Sequence, residues 1–185
     1  MRELILGGVK SGKSRTAEAR ATGWLRTPGN SAALIATAQA GDEEMRARIA
    51  RHQRDRALRV PPLVTLEEPL TVAALITAQS SPQRMLVVDC LTLWLTNLLL
   101  PMTGAGVSDD ECTARQIELC DAIASAAGPI ILVSNEIGLG VTPLGSDVRR
   151  FLDHLGTLHQ RLASACERVT LMVAGIEMNV KGGIR

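Results

Sequence analysis

The eight residues Gly7-Gly8-Val9-Lys10-Ser11-Gly12-Lys13-Ser14 constrain this chain more than any other stretch, because they fit the pattern GxxxxGK[ST] directly after the apolar run Leu4-Ile5-Leu6. The glycines let the backbone turn tightly, so that successive N–H groups aim at phosphate oxygens. Lys13 is then placed to reach the β- and γ-phosphates and Ser14 to ligate Mg²⁺. The following residues, Arg15-Thr16-Ala17-Glu18-Ala19-Arg20-Ala21, are rich in helix formers and contain no Pro or Gly. Strand, loop and helix therefore occur in the order that a phosphate-binding loop requires.

Apolar strand-like runs recur at 4–6, 32–36, 63–66, 85–88, 130–133 and 169–173. Helical stretches at 13–24, 42–56, 70–79, 91–99, 109–126 and 146–166 separate them. This alternation predicts an α/β fold, a mostly parallel sheet with helices on both faces. Several runs are continuously apolar, as strands covered on both sides are. At 185 residues the chain reads as one domain, 1–185, large enough to bury its apolar surface without disulfide or metal staples. Residues 101–108, with Gly104 and Gly106, read as a mobile surface loop. The Gly-rich stretch 138–145 falls at a strand exit, where open α/β sheets bind ligands.

Composition excludes several partners. A formal net charge of +1 gives no drive toward nucleic acid or anionic membranes. Trp24, Trp94 and Phe151 are the whole aromatic inventory, too few for base-stacking platforms. The apolar stretch 91–100 falls short of the roughly 20 residues that a spanning helix needs. Cys90, Cys112, Cys120 and Cys166 lack metal-ligand spacing and read as buried or half-buried thiols of a reduced protein. No signal-peptide pattern opens the chain, so the expected location is cytoplasmic.

The second nucleotide element is expected to be an acid at the end of a buried strand. Met85-Leu86-Val87-Val88-Asp89 supplies one, with Asp89 as the partner of Ser14 at Mg²⁺ or, alternatively, as the cap of the following helix. In the 42–56 helix, Met45, Ile49, His52 and Arg56 share one stripe, with Arg48 one turn before His52. An imidazole among arginines offers a phosphate-sized anion a nucleophile and a charge clamp together; the same spacing also suits a solvated basic helix. Glu67 and Glu68 suit a ribose hydroxyl or base edge, and equally the acidic first turn of the next helix. His154 and His159, five apart, are not spaced as a metal pair and read as ordinary helix residues. Asn135 and Glu136 at a strand end suit a substrate-binding or water-excluding loop.

In succession, GGVKSGKS (7–14), IATAQAGDEEMRARIARHQRDR (35–56), TLEEPL (65–70), LVVDCLTLWLTNLL (86–99), VSNEIGLGVTP (133–143), VRRFLDHLGTLHQRLA (148–163) and VAGIEMNVK (173–181) closely resemble the bifunctional adenosylcobinamide kinase/adenosylcobinamide-phosphate guanylyltransferases of cobalamin biosynthesis. The resemblance implies a P-loop NTPase fold of the RecA-like kind, assembled as a homotrimer. It also implies a two-step activity: phosphorylation of adenosylcobinamide by ATP or GTP, then transfer of GMP from GTP through a guanylyl-histidine. Arg48-Ile49-Ala50-Arg51-His52 matches the family's Arg-Ile-x-x-His motif, which makes His52 the guanylylated residue. The implied nucleotide contacts are Gly7 to Ser14, Ala36, Thr37, Ala38, Gln53, Arg54, Asp55, Arg56, Glu67 and Asp89, with a corrinoid as the second substrate. The chain departs from the family pattern at His159, where Asn is common, and at Leu152, where Arg is common.

Overall fold

A computed structural model describes residues 1–183. Six strands, β1 (Arg2–Gly7), β2 (Ser31–Ala36), β3 (Val64–Glu67), β4 (Arg84–Asp89), β5 (Ile130–Asn135) and β6 (Arg168–Val173), run parallel. A seventh, β7 (Ile176–Lys181), closes the edge as the antiparallel partner of β6, giving the order β3-β2-β4-β5-β1-β6-β7. The helices between them are α1 (Lys13–Leu25), α2 (Glu43–Arg59), α3 (Val72–Gln79), α4 (Leu91–Leu99), α5 (Asp109–Ser125) and α6 (Ser146–Ala165).

Because side chains alternate along a strand, the continuous apolar runs feed two cores at once. Leu4, Ile35, Leu86, Val88 and Leu132 pack under Ile76, Trp94, Leu119 and Leu158 of α3 to α6. Their neighbours Ile5, Leu34, Met85, Val87 and Ile131 face Ala17 and Ala21 of α1 on the other side. Helix α2 is different. Of its residues only Arg56 is buried, while Met45, Ile49 and His52 are half-buried on the same stripe. The stripe predicted from spacing is therefore the inward face, and charge rather than apolar packing fixes the C-terminal end of the helix. Arg59 donates to the buried Glu18 of α1 (2.7 Å), and Arg56 lies 3.7 Å from the same carboxylate.

The register sets the site. Gly7 pairs with Asn135, and Ala36 pairs with both Asp89 and Glu67, so the carboxyl ends of β1, β5, β4, β2 and β3 form one edge. Strand β5 lies between the phosphate-loop strand and the Asp89 strand. The segment 101–108 is irregular as expected, but its far end is fixed: the Val107 amide donates to the Leu98 carbonyl, and the Val107 carbonyl accepts from Arg150. The four cysteines are free thiols, three buried and Cys120 half-buried, as their surroundings predicted.

At the opposite end of β1 the wholly buried Glu3 accepts from Arg20 (3.1 Å) and Thr170 (2.8 Å) and lies 3.3 Å from Arg168, joining α1, β1 and β6. Glu3→Ala is expected to lower unfolding stability by about 2–3 kcal/mol in urea titrations. This is below the cost of breaking a wholly buried pair because Arg20 and Arg168 reach solvent.

Candidate active site

The phosphate loop has the backbone its glycines allow. Gly12, the N-cap of α1, sits at φ 104°, and a side chain on Gly7 would lie 2.5 Å from the Met172 carbonyl. The Lys13 ammonium folds back onto the loop, donating to the Gly7 carbonyl (2.8 Å) and the Gly8 carbonyl (2.6 Å). The Ser11 hydroxyl is buried with no hydrogen-bond partner among the described residues, an orphan polar group that an anion in the loop would satisfy. Burial pushes the Lys13 ammonium below its ordinary pKa; Cys90 and Asp89 pull it back up, and Arg48 pushes it further down. Asp89 stands at the end of β4, the second strand from β1 in the sheet order.

Asp89 is not the cap of α4. Cys90 occupies that position and makes no side-chain cap bond. Ser14 and Asp89 thus offer a hydroxyl and one carboxylate, hard oxygen donors suited to Mg²⁺, which keeps several waters and binds phosphates. No cluster of three or more potential metal-ligand side chains occurs among the described residues. Burial pushes the Cys90 thiol up to about 11, which keeps it protonated and inert beside the loop.

The two adjacent glutamates have different duties. Burial raises the Glu68 carboxyl, but bonds from the Thr71 and Leu70 amides outweigh it and hold the group below its usual range. Glu68 thus satisfies the amides just ahead of α3, whose N-cap is Thr71, and the preceding Glu67 accepts from Gln53 of α2 at 3.2 Å. Arg56 donates to Thr65 (2.9 Å) and faces Glu18, so its guanidinium tethers α2 to the sheet. Asp55 lies 3.9 Å from Arg59 on the same helix, and Arg54 is exposed. Thr37 is wholly buried, and its hydroxyl donates to the Cys90 carbonyl (2.7 Å) and accepts from the Cys90 amide (2.9 Å). The Ala36 carbonyl accepts from the Glu68 amide, so the 36–38 turn ties β2 to both neighbouring strand ends.

Sequence reading missed a polar chain beside the loop. The Asn135 amide donates to Thr92 Oγ1 (2.7 Å), Thr92 Oγ1 lies 3.1 Å from Ser134 Oγ, and Ser134 Oγ lies 2.8 Å from His159 Nε2. His159 Nδ1 in turn lies 3.5 Å from Glu136 Oε2. The signals were a Thr inside the apolar α4, a Ser ending an apolar strand, and a His on the apolar face of α6. His154, by contrast, pairs with Asp109 at the start of α5 (2.9 Å), an ordinary helix position as predicted.

Burial lowers the His159 pKa from its ordinary 6.5, against the pull of Glu136. The unfolded chain therefore takes up this proton first as pH falls, so the stability held by the neutral ring is intact above 6.5 and is lost below it. His159→Gln is expected to flatten the change in urea midpoint between about pH 7 and about pH 5. An equally steep change in the variant would reject the assignment.

Comparison with known proteins follows the same lines. The family model described as cobinamide kinase / cobinamide phosphate guanyltransferase matches residues 3–180. The chain is 50% identical over 184 residues to the bifunctional adenosylcobalamin biosynthesis protein CobP of Pseudomonas aeruginosa, covering 98% of each. It is 35% identical to the bifunctional adenosylcobalamin biosynthesis protein CobU of Salmonella typhimurium, covering 96% of this chain and 98% of that one. Among solved structures, the flagellar accessory protein FlaH of Methanocaldococcus jannaschii superposes with a TM-score of 0.51 at 12% identity, over 97% of this chain and 77% of its own. That likeness concerns the fold alone.

Proposed function

This chain belongs to the cobinamide kinase / cobinamide phosphate guanyltransferase family, and from that premise we propose that its single domain, 1–185, runs two successive transfers in adenosylcobalamin biosynthesis. In the first, the γ-phosphoryl group of ATP or GTP passes to the hydroxyl of adenosylcobinamide. In the second, a nitrogen of His52 attacks the α-phosphorus of GTP and pyrophosphate leaves. The phosphate of the first product then attacks that phosphorus and releases His52, giving adenosylcobinamide-GDP.

The observation that carries this reading is the family match together with the sequence Arg48-Ile49-Ala50-Arg51-His52, which puts His52 on the half-buried stripe of α2 one turn after Arg48. Loop amides and Lys13 stabilise charge on the transferred group, and Arg48 adds to the clamp. Ser14 and Asp89 would hold Mg²⁺, which would supply charge neutralisation for the nucleotide phosphates. Gln53, held against Glu67, sets the side of α2 that faces the nucleotide. The corrinoid reading gains support from the loop at the β5 exit, where Leu139, Val141 and Leu144 are 84%, 96% and 98% exposed. A large, partly apolar ligand suits such a rim. The exposed apolar residues Ile176, Met178 and Val180 of β7 favour a homo-oligomer, and no described helix is long and apolar enough to cross a membrane. Cytoplasmic work fits the four free thiols.

The test is intact mass after exposure to GTP and Mg²⁺. One added GMP that disappears on adding cobinamide phosphate is the expected result; no adduct would leave only a kinase. Asp89→Asn is expected to raise the Mg²⁺ requirement of both transfers about tenfold or more, because an amide keeps the shape but loses the charge that holds a hard cation. An unchanged Mg²⁺ titration would remove Asp89 from the metal.

A further inference from the structure

The polar chain beside the phosphate loop is ordered from its charged end. The Glu136 carboxylate only accepts, so the single proton of a neutral His159 ring sits on Nδ1 facing Oε2, and Nε2 accepts from Ser134 Oγ. With its proton given to Nε2, Ser134 Oγ accepts from Thr92 Oγ1, which accepts from the Asn135 amide. The reverse order would leave an Nδ1 lone pair against a carboxylate. Around the ring, α4 and β5 carry no charged residue, and Arg150, Asp153, His154 and Arg161 on its own helix make no hydrogen bond to it. Glu136 is its charged neighbour.

Glu136 is also joined to the phosphate loop. Its amide donates to the Gly7 carbonyl at 3.0 Å, and the same carbonyl accepts from Lys13 at 2.8 Å. Its other carboxylate oxygen accepts from the Gly138 amide (2.7 Å) at the root of the loop that opens toward solvent, and the side chain is 21% exposed. One carboxylate thus stands at the boundary between the lysine that meets phosphate and the rim that meets the second substrate, with both oxygens steadied.

We propose that Glu136 takes the proton from the acceptor hydroxyl in the phosphoryl-transfer step, and that His159, braced by Ser134 and Thr92, is the positioning residue that aims it. The hydroxyl oxygen forms the new bond to the γ-phosphorus as the bond to the bridging oxygen breaks. The nucleoside diphosphate leaves with that electron pair. The hydroxyl proton passes to Glu136 and then to solvent. Guanylylation of the protein needs no such base, because an imidazole attacks directly. The proposal rests on the functional reading above, since it assumes an alcohol acceptor.

The two half-reactions separate it from a general loss of structure. With cobinamide, ATP and Mg²⁺ under single-turnover conditions, Glu136→Gln is expected to slow phosphoryl transfer about 10²-fold more than it slows formation of the GMP adduct. Glu136→Asp, which keeps a carboxylate, is expected to recover at least about tenfold of that loss. His159→Ala should lower kcat about tenfold with KM for nucleotide unchanged, and adding it to Glu136→Gln should cost nothing further, because it acts only through the carboxylate. Equal losses in both half-reactions, an additive double variant, or a Glu136→Gln rate within about threefold of the wild type would each overturn the proposal. Absence of phosphoryl transfer in the wild-type protein would instead overturn the functional reading.

Discussion

Replacing His52 with alanine or asparagine is expected to abolish the covalent GMP adduct and GMP transfer, while phosphoryl transfer stays within several-fold of the wild type. The two steps use different nucleophiles. The first uses the hydroxyl of the substrate, and the second uses an imidazole nitrogen of the protein, whereas the Lys13 ammonium is engaged by the Gly7 and Gly8 carbonyls and the His159 ring by Ser134 and Glu136. Cys90, the nearest thiol, is held protonated by burial, with a pKa of about 11. Ser11 and Ser14 are ordinary hydroxyls, and the ester either would form survives acid. A phosphoramidate on His52 is lost in acid and survives alkali, so the stability of the label identifies its chemistry before any peptide is mapped. A loss of about 10³-fold or more in adduct formation is the scale expected when a covalent nucleophile is removed. A GMP-modified peptide recovered from the His52→Ala protein would place the nucleophile elsewhere, and a matching collapse of phosphoryl transfer would make His52 part of the nucleotide pocket alone.

The parts of this molecule that were legible in the sequence are those whose cause is local. Continuous apolar runs marked six parallel strands, since a strand covered on both faces needs no polar side. The phosphate loop was legible because its glycines, lysine and serine are contiguous. Strand β7 was not. It follows a two-residue turn at Ala174-Gly175, both at positive φ (50° and 82°), and Ala lacks the signature that Asn or Asp would have given. Its residues alternate in character but are all exposed, so no apolar run marked it. Helix α3 starts two residues later than its pattern suggested because Glu68 satisfies the amides of Leu70 and Thr71 before the first turn. The histidine stripe of α2 was legible from a period of 3.6, while its anchoring was not, since the buried Glu18 that holds Arg59 lies on another helix. The Thr92–Ser134–His159–Glu136 chain was hidden for the same reason. Thr92, Ser134 and His159 come from α4, β5 and α6, 42 and 25 residues apart in sequence, and each alone is an unremarkable polar residue in an apolar segment, so only Glu136, in the loop after β5, stood out.

Lys13→Ala is the companion test for the phosphate end of the site, and its value lies in what the structure says about folding. Removing the ammonium withdraws donors from the Gly7 and Gly8 carbonyls. Gly7 keeps the bond from the Glu136 amide, and Gly8 is exposed, so water can satisfy it. The loop therefore retains its backbone partners, and the thermal midpoint should move by no more than a few degrees. Activity should not survive in the same way. Lys13 brings a positive charge from α1 to the strand edge where Asp89 and Glu136 supply negative ones, and a neutral methyl cannot offset charge on the phosphoryl group in flight. A fall of about 10²-fold or more in phosphoryl transfer, about 3 kcal/mol of transition-state stabilisation, is expected. Lys13→Met keeps most of the packed stem and should behave as badly, which separates lost charge from lost packing. Wild-type rates in the Met variant would mean that Lys13 braces the loop through its carbonyl bonds and that the loop amides with Arg48 carry the phosphate charge.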